Sequence, residues 1–449
     1  MLKYLLLITW LLLPAASWAQ KKDRIQFEAE LLKNVKRDGE RFKLLYENVV
    51  FRQKSTTIYC DSSYYYDKRG ELEAFGRVKV YQGDSVTVDS EKLNYNGNTK
   101  TAQFRQKVVY QEGTKMTLYT DNLDYNMRDG SAMYYDGGKL VDAENTLTSR
   151  KGYYASGGIF MSFKNDVVLV SPDYTLYADT LVYNSLTKVA KTFGPTKIIK
   201  ADGSVLESDG GVFNTRTNQS TFQEGTVESD SYIMVGDELY FDDRVKYYQA
   251  ERQVELISTE DSLIAYGDFG FYNKGQRFSK MFENALLEKL LDEDTFFLQA
   301  DTLVFLDDSL RANRKMLAYN HVRFVKGDIS GIADSLVYYF GDSIITLYQD
   351  PVLWNGKSQI VGDTIHIIMA DGKIDRMETT SNSFMVSRDT VGNFNQVKGR
   401  QMTAYFRQSN IDKIDVYGNG ECIYFALDDE DNTVSGMNRI LCSNISIFF

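Results

Sequence analysis

The chain has 449 residues and a formal net charge of −11. That charge disfavours a nucleic-acid partner, which needs a basic face. Hydrophobic residues make up 43% and aromatics 13%, with 31 Tyr, 26 Phe and only 4 Pro, a mixture that suits strands and argues against disorder.

In chain order, the first predicted element is an export signal over residues 1–19. Lys3 gives the positive start, residues 4–13 form an apolar core too short to span a bilayer, and Ser17 and Ala19 are the small residues before a cleavage at Gln20. No Cys follows that site, so a lipoprotein anchor is not expected. No later stretch is long and apolar enough to be a membrane helix, and the export signal implies that the mature chain leaves the cytoplasm.

From there a short phrase recurs: an acidic residue, an apolar residue two places on, and an aromatic or β-branched one two further. It reads Asp121-Asn-Leu123-Asp-Tyr125, Asp179-Thr-Leu181-Val-Tyr183, Asp237-Glu-Leu239-Tyr-Phe241, Asp301-Thr-Leu303-Val-Phe305, Asp334-Ser-Leu336-Val-Tyr338 and Asp363-Thr-Ile365-His-Ile367. Looser copies start at Asp61, Glu91 (with Leu93 and Tyr95), Asp209 and Asp268. The starts lie 30, 30, 58, 30, 28, 31, 33, 33 and 29 residues apart, the 58 being two periods with a degraded copy near Tyr153. A fixed period of this length marks stacked repeats, about twelve over residues 20–449 with no internal linker.

Each period holds a second signal. A Gly, Asn, Asp or Glu precedes a short alternating run, as in Gly76-Arg-Val78-Lys-Val80, Asn165-Asp-Val167-Val-Leu169 and Asn320-His-Val322-Arg-Phe324. Period-two alternation predicts half-buried strands, at least two per repeat. Turn formers lie between them: Asn96-Gly97-Asn98, Arg128-Asp129-Gly130, Asp202-Gly203 and Asp371-Gly372. Residues 281–291 are helix-like in composition, yet the repeat register aligns Asn284-Ala-Leu286 with Asn320-His-Val322 and predicts a strand. The acidic runs 292–294 and 428–431 read as surface turns.

Material for catalysis is sparse. His321 and His366 both sit inside strand patterns as structural residues, and there is no phosphate loop, nucleophile elbow or Cys/His metal spacing. Carboxylates abound, so a glycosidase-type pair has material. However, the Asp of the phrase occurs about once per repeat and reads as a turn or strand-start hydrogen-bonding residue. No catalytic residue, metal or cofactor is predicted. Cys60, Cys422 and Cys442 form no disulfide framework; a Cys422–Cys442 bond and buried free thiols are both open readings. The Leu/Tyr pairs of the phrase also have two readings, an ordinary core or the lining of a lipid groove. The residues concerned are Leu93, Tyr95, Leu123, Tyr125, Leu181, Tyr183, Leu239, Phe241, Leu303, Phe305, Leu336 and Tyr338.

The export signal, the phrase and the Gly/Asn-x-Val runs together resemble the OstA-like family. This is the LptA-type β-jelly-roll of lipopolysaccharide transport, also present as the N-terminal part of the outer-membrane LptD subunit. The stretches most similar to it are Tyr46-Glu-Asn48-Val-Val50-Phe51 through Tyr64-Tyr65, Ala178-Asp179-Thr-Leu181-Val-Tyr183 and Ala300-Asp301-Thr-Leu303-Val-Phe305. The length is most similar to the extended OstA-like proteins of Bacteroidetes-type bacteria. The resemblance implies an all-β fold, an elongated, twisted open β-jelly-roll (β-taco) array. It also implies a periplasmic location, with association to the outer membrane an open reading, transfer of lipopolysaccharide or a related glycolipid between membranes, and β-strand edge pairing with LptC-like and LptD-like components or head to tail with itself. Two other readings compete: an outer-membrane β-barrel, to which the alternating, aromatic-ended Ile445-Ser-Ile447-Phe448-Phe449 is suited, and a β-solenoid enzyme or adhesin acting on polysaccharide.

Overall fold

The computed structural model describes residues 24–37, 39–155, 159–229, 232–258, 262–290, 294–370, 372–408, 410–428 and 433–449. The expected signal segment and its cleavage point, together with residues 292–293 and 429–431 of the acidic runs, lie outside the described residues. The chain divides into two compact units, Met1–Gly158 and Ile159–Phe449.

Both units are all-β and antiparallel. In the N-terminal unit the strands Glu40–Gln53, Thr56–Tyr66, Glu71–Gln82, Val86–Asn96, Thr101–Glu112 and Met116–Asn126 pair in sequence order. Each period therefore contributes two strands of about a dozen residues and two short turns. Turns occupy residues 97–100 and 127–130, where the Asn-Gly and Asp-Gly signals place them. Near Tyr153 the pattern breaks into the short strands Ser131–Tyr134, Gly138–Val141, Thr146–Ser149 and Lys151–Ala155, which is why the phrase is degraded there.

The C-terminal unit repeats the design from Phe160–Val170 and Tyr174–Asn184 through to Asn410–Leu427 and Val434–Phe448. The helix-like segment is the strand Phe278–Leu290, as its register predicts. Its Ala285 and Leu287 sit in the core beside Leu298 and Ala300, so burial against the neighbouring strand outweighs local propensity.

Alternate strands carry a two-residue left-handed kink at mid-length. The pairs include Glu47/Asn48, Gly76/Arg77, Gln106/Lys107, Arg252/Gln253, Glu283/Asn284, Asn320/His321 and Ser381/Asn382, all with φ between 43° and 71°. The ladder register shifts at each of these kinks. Such bulges bend a strand. Aligned across neighbours, they split every long strand into two halves, and the halves form two facing walls.

This corrects two expectations. The Gly/Asn-x-Val runs are not short strands by themselves; they are second halves of strands whose first halves precede the kink. The recurrent Asp is not, in most copies, at a turn or strand start; Asp363, at the bend just before Thr364–Ala370, is the copy that is. Asp61, Asp121, Asp268 and Asp301 lie inside strands, opposite the kink of a neighbouring strand, the preceding one for Asp121 and the next one for the others. Asp61 accepts from Arg77 Nε at 2.9 Å, and Asp121 Oδ1 from the Lys107 backbone N–H at 3.0 Å. Asp268 accepts from Asn284 Nδ2 at 2.6 Å, Asp363 from Asn382 Nδ2 at 3.0 Å, and Asp301 pairs with His321 Nδ1 at 2.9 Å. The left-handed region costs a non-glycine residue roughly 1–2 kcal/mol, and the carboxylate opposite offsets part of it. At Gly76 the approach is closest: a Cβ there would come 2.5 Å from Asp61 Oδ2.

Candidate functional site

The two walls enclose an apolar interior, and the Leu and Tyr of the phrase stand at different depths in it. In the C-terminal unit Leu181, Leu239, Leu303 and Leu336 lie next to the kink line and are fully or almost fully buried. Their cross-strand partners are small or apolar, such as Ala250 for Leu239 and Ala318 for both Leu303 and Leu336. These leucines are close-packed core.

Two residues further from the kink, at the mouth, runs a second row. It passes Phe241, Tyr248, Tyr272, Ser279, Phe305, Met316, Tyr338 and Ile345 from strand to strand. Tyr183 holds the equivalent position on Tyr174–Asn184. Phe241 and Met316 are buried, but Tyr183, Tyr248, Tyr272, Phe305, Tyr338 and Ile345 are only half-buried. Burial pushes the Tyr248 hydroxyl up to about 12, helped by nearby Asp243. This row is an apolar rim with surface still open to a guest. The two walls approach each other here, Tyr174 and Phe213 lying 6.4 Å apart in an edge-on contact.

The N-terminal unit is different. Leu93 and Leu123 are again fully buried, but so are the rim residues Tyr95 and Tyr125. Polar side chains of the opposite wall close the mouth. Tyr95 Oη donates to Gln53 Oε1 at 2.7 Å, Gln53 Nε2 donates to the Gly97 carbonyl at 3.2 Å, and Gln82 Nε2 donates to the Met127 carbonyl at 2.8 Å. Tyr154 Oη donates to Glu112 at 2.9 Å, and the rings of Tyr110 and Tyr125 meet edge-on at 5.7 Å. Burial pushes the phenols of Tyr95 and Tyr154 up to about 12. The latch residues Gln53, Gln82 and Glu112 recur at 29 and 30 residues, each at the end of one alternating run; that recurrence is the signal that could have found them.

The remaining candidates are scattered. His366 Nδ1 lies 3.0 Å from Thr346 Oγ1, and His321 serves a kink. Cys60 and Cys422 are buried free thiols and Cys442 is an exposed one, so the Cys422–Cys442 bond is not formed. Cys442 stands opposite Gly420 and Cys422 opposite Ile440, a diagonal placement across the last two strands. Among the described residues no group of three or more His, Cys, Asp or Glu is arranged to hold a metal ion, and no helix is long and apolar enough to cross a membrane.

Known proteins give the following picture. Residues 22–179 match the family model of OstA-like proteins. Residues 290–373 match that of the LptA/(LptD N-terminal domain) LPS transport proteins. Among solved structures, the chain is similar to LptH of Pseudomonas aeruginosa, described as the LptA-homologous periplasmic component of the conserved lipopolysaccharide transport device. The identity is 12%, with 36% of this chain and 79% of that chain covered and a TM-score of 0.15. A search of the curated proteins finds no match. By these matches, residues 22–179 are an OstA-like segment and residues 290–373 a segment of the LptA/(LptD N-terminal domain) LPS transport type.

Proposed function

We propose that the chain is a periplasmic transfer protein of lipopolysaccharide transport, residues 20–449 acting as one repeat array that shields acyl chains from water. The observation that carries this reading is the half-buried rim of the C-terminal unit, in which Tyr183, Phe305 and Tyr338 hold equivalent positions. Each methylene withdrawn from water is worth about 0.8 kcal/mol, so one 14-carbon chain left exposed costs roughly 11 kcal/mol. A row of near-equivalent apolar positions lowers that cost at each step without holding the lipid at any one. The phrase residues thus divide the work. The leucines hold the walls together, and the aromatics two places on meet the guest.

Partner contacts follow from the strand edges. Among the described residues Val434–Phe448 is hydrogen-bonded on one side only, to Asn410–Leu427, and exposes Met437, Ile440 and Leu441. At the other end Gln26–Glu28 and Leu31–Arg37 pair only with Glu40–Gln53, and Leu31 and Leu32 are exposed. Unpaired apolar edges invite strand addition, and LptC-like and LptD-like components are the proposed partners, with head-to-tail self-pairing as the same contact made by a second copy.

The test is photo-crosslinking in cells. A photoreactive amino acid at Tyr183, Phe305 or Tyr338 should capture labelled lipopolysaccharide, and one at the exposed position Tyr119 should not. Capture at none of the three rim positions, or equal capture at Tyr119, would overturn the reading.

A further inference from the structure

The same strands that build the interior of the N-terminal unit present a polar face on the other side. That face is concave. A cleft of about 780 Å³ is cut into it, reaching from Tyr66 and Arg69 to Tyr153, a volume within the range of small-ligand sites. Its floor is a cross-strand row: Glu73 opposite Asn94, Asn94 opposite Gln103, Gln103 opposite Asp124, then Met133 and Tyr153.

The hydrogen bonding of this row is incomplete. The Oδ1 of Asn94 is enclosed and has no partner. Glu73 and Gln103, on either side of it, have no hydrogen bond or ion pair among the described residues. A buried polar atom left unpaired is costly, and Asn94 Oδ1, between the half-buried Glu73 and the exposed Gln103, completes a row of donors and acceptors across three adjacent strands. The rest of the charge is already matched. Arg69 Nε bonds Glu71 at 2.9 Å, and Arg105 Nη2 bonds Asp124 at 2.7 Å. Glu73 is thus the uncompensated charge of the cleft, which disfavours phosphate and acidic sugars and favours hydroxyl or ammonium donors. Aromatic faces stand at both ends: Tyr66, with the Arg69 guanidinium stacked 4.5 Å above it, and Tyr153, 39% exposed.

Planar amide and carboxylate side chains between aromatic walls are the chemistry that recognises a sugar ring. Its hydroxyls take bidentate hydrogen bonds, and its C–H faces pack on the rings. We propose that this outer cleft binds a short neutral or amino-bearing oligosaccharide. The site lies on the opposite side of the sheet from the apolar interior, so it stands whether or not the interior carries acyl chains.

The experiment is calorimetric titration of the full mature chain with acyl-free sugars: a glucosamine trimer, its N-acetylated form and a galacturonate trimer. The glucosamine trimer should bind saturably and the galacturonate trimer should not. Gln103→Ala should weaken binding of both accepted sugars about two- to tenfold, the size of one lost hydrogen bond. Glu73→Gln, nearly isosteric, should remove the preference for the amino over the N-acetylated form. Both side chains sit on the solvent face, and unchanged thermal unfolding of each variant verifies folding. Absence of saturable binding to the amino and acetylated trimers, equal binding of the acidic one, or affinities unchanged in both variants would overturn the assignment.

Discussion

At the scale of single residues, the recurring Asp and the recurring Leu do different jobs and should respond differently to substitution. Asp121 is exposed and caps one backbone N–H at a kink. Asp121→Ala should therefore cost about 0.5–1.5 kcal/mol, and Asp121→Asn less, because the amide oxygen still accepts. Leu303 is fully buried, so Leu303→Ala should cost about 2–5 kcal/mol through lost transfer energy and a residual cavity. Denaturant titration followed by circular dichroism measures both. The cysteines offer a second check. Burial and the adjacent Asp61 carboxylate push the Cys60 thiol up to about 12, and burial also raises Cys422. Since the thiolate is the reactive form, a thiol reagent at pH 8 should label Cys442 in the native chain and reach Cys60 and Cys422 only on unfolding.

At the scale of elements, the sealed mouth of the N-terminal unit makes a pH prediction. The Tyr95 hydroxyl ionises near 12 in the folded chain, against an ordinary value of 10.0, because burial penalises the phenolate. The folded state therefore holds the proton more tightly. Its stability contribution is complete below about pH 10 and falls as pH rises from about 10 to 12. Tyr95→Phe removes the titration along with the hydrogen bond to Gln53, so it should flatten the alkaline loss of stability while lowering stability at neutral pH by about 1 kcal/mol. Thermal melts at pH 8, 10 and 11 read both effects. The elements themselves were legible in the sequence. At least two strands per period, the Asn-Gly turns and the strand over Phe278–Leu290 all follow from pattern and register. The kinks were not. Gly76, Asn284 and Asn382 suit a left-handed backbone, but Glu47, Gln106 and Arg252 adopt it too, and at those positions local propensity gives no signal.

At the scale of the molecule, the ends and faces of the sheets decide what the chain meets. On the edge strand Val434–Phe448, Met437 and Leu441 are exposed and apolar, and an inserted Lys is the usual block to edge pairing. The double variant Met437→Lys/Leu441→Lys should reduce self-association and recovery of edge-bound partners while leaving the thermal unfolding of the chain within about 1 °C, since solvent-facing substitutions rarely change stability by more than about 0.5 kcal/mol. Sedimentation velocity and co-purification measure this. Unchanged association would mean that the edge is not the coupling surface.

The sequence by itself determined the all-β class, the 30-residue period, and the apolar and polar faces of each strand. Those depend only on residue spacing, and spacing survives into any sheet. Depth was decided by the tertiary structure. Whether Tyr95 or Tyr183 faces a sealed mouth or an open rim depends on what the opposite wall brings across, and Gln53 stands 42 residues from its partner Tyr95. A contact between walls depends on how the kinked strands fold over, and that geometry is absent from the local pattern.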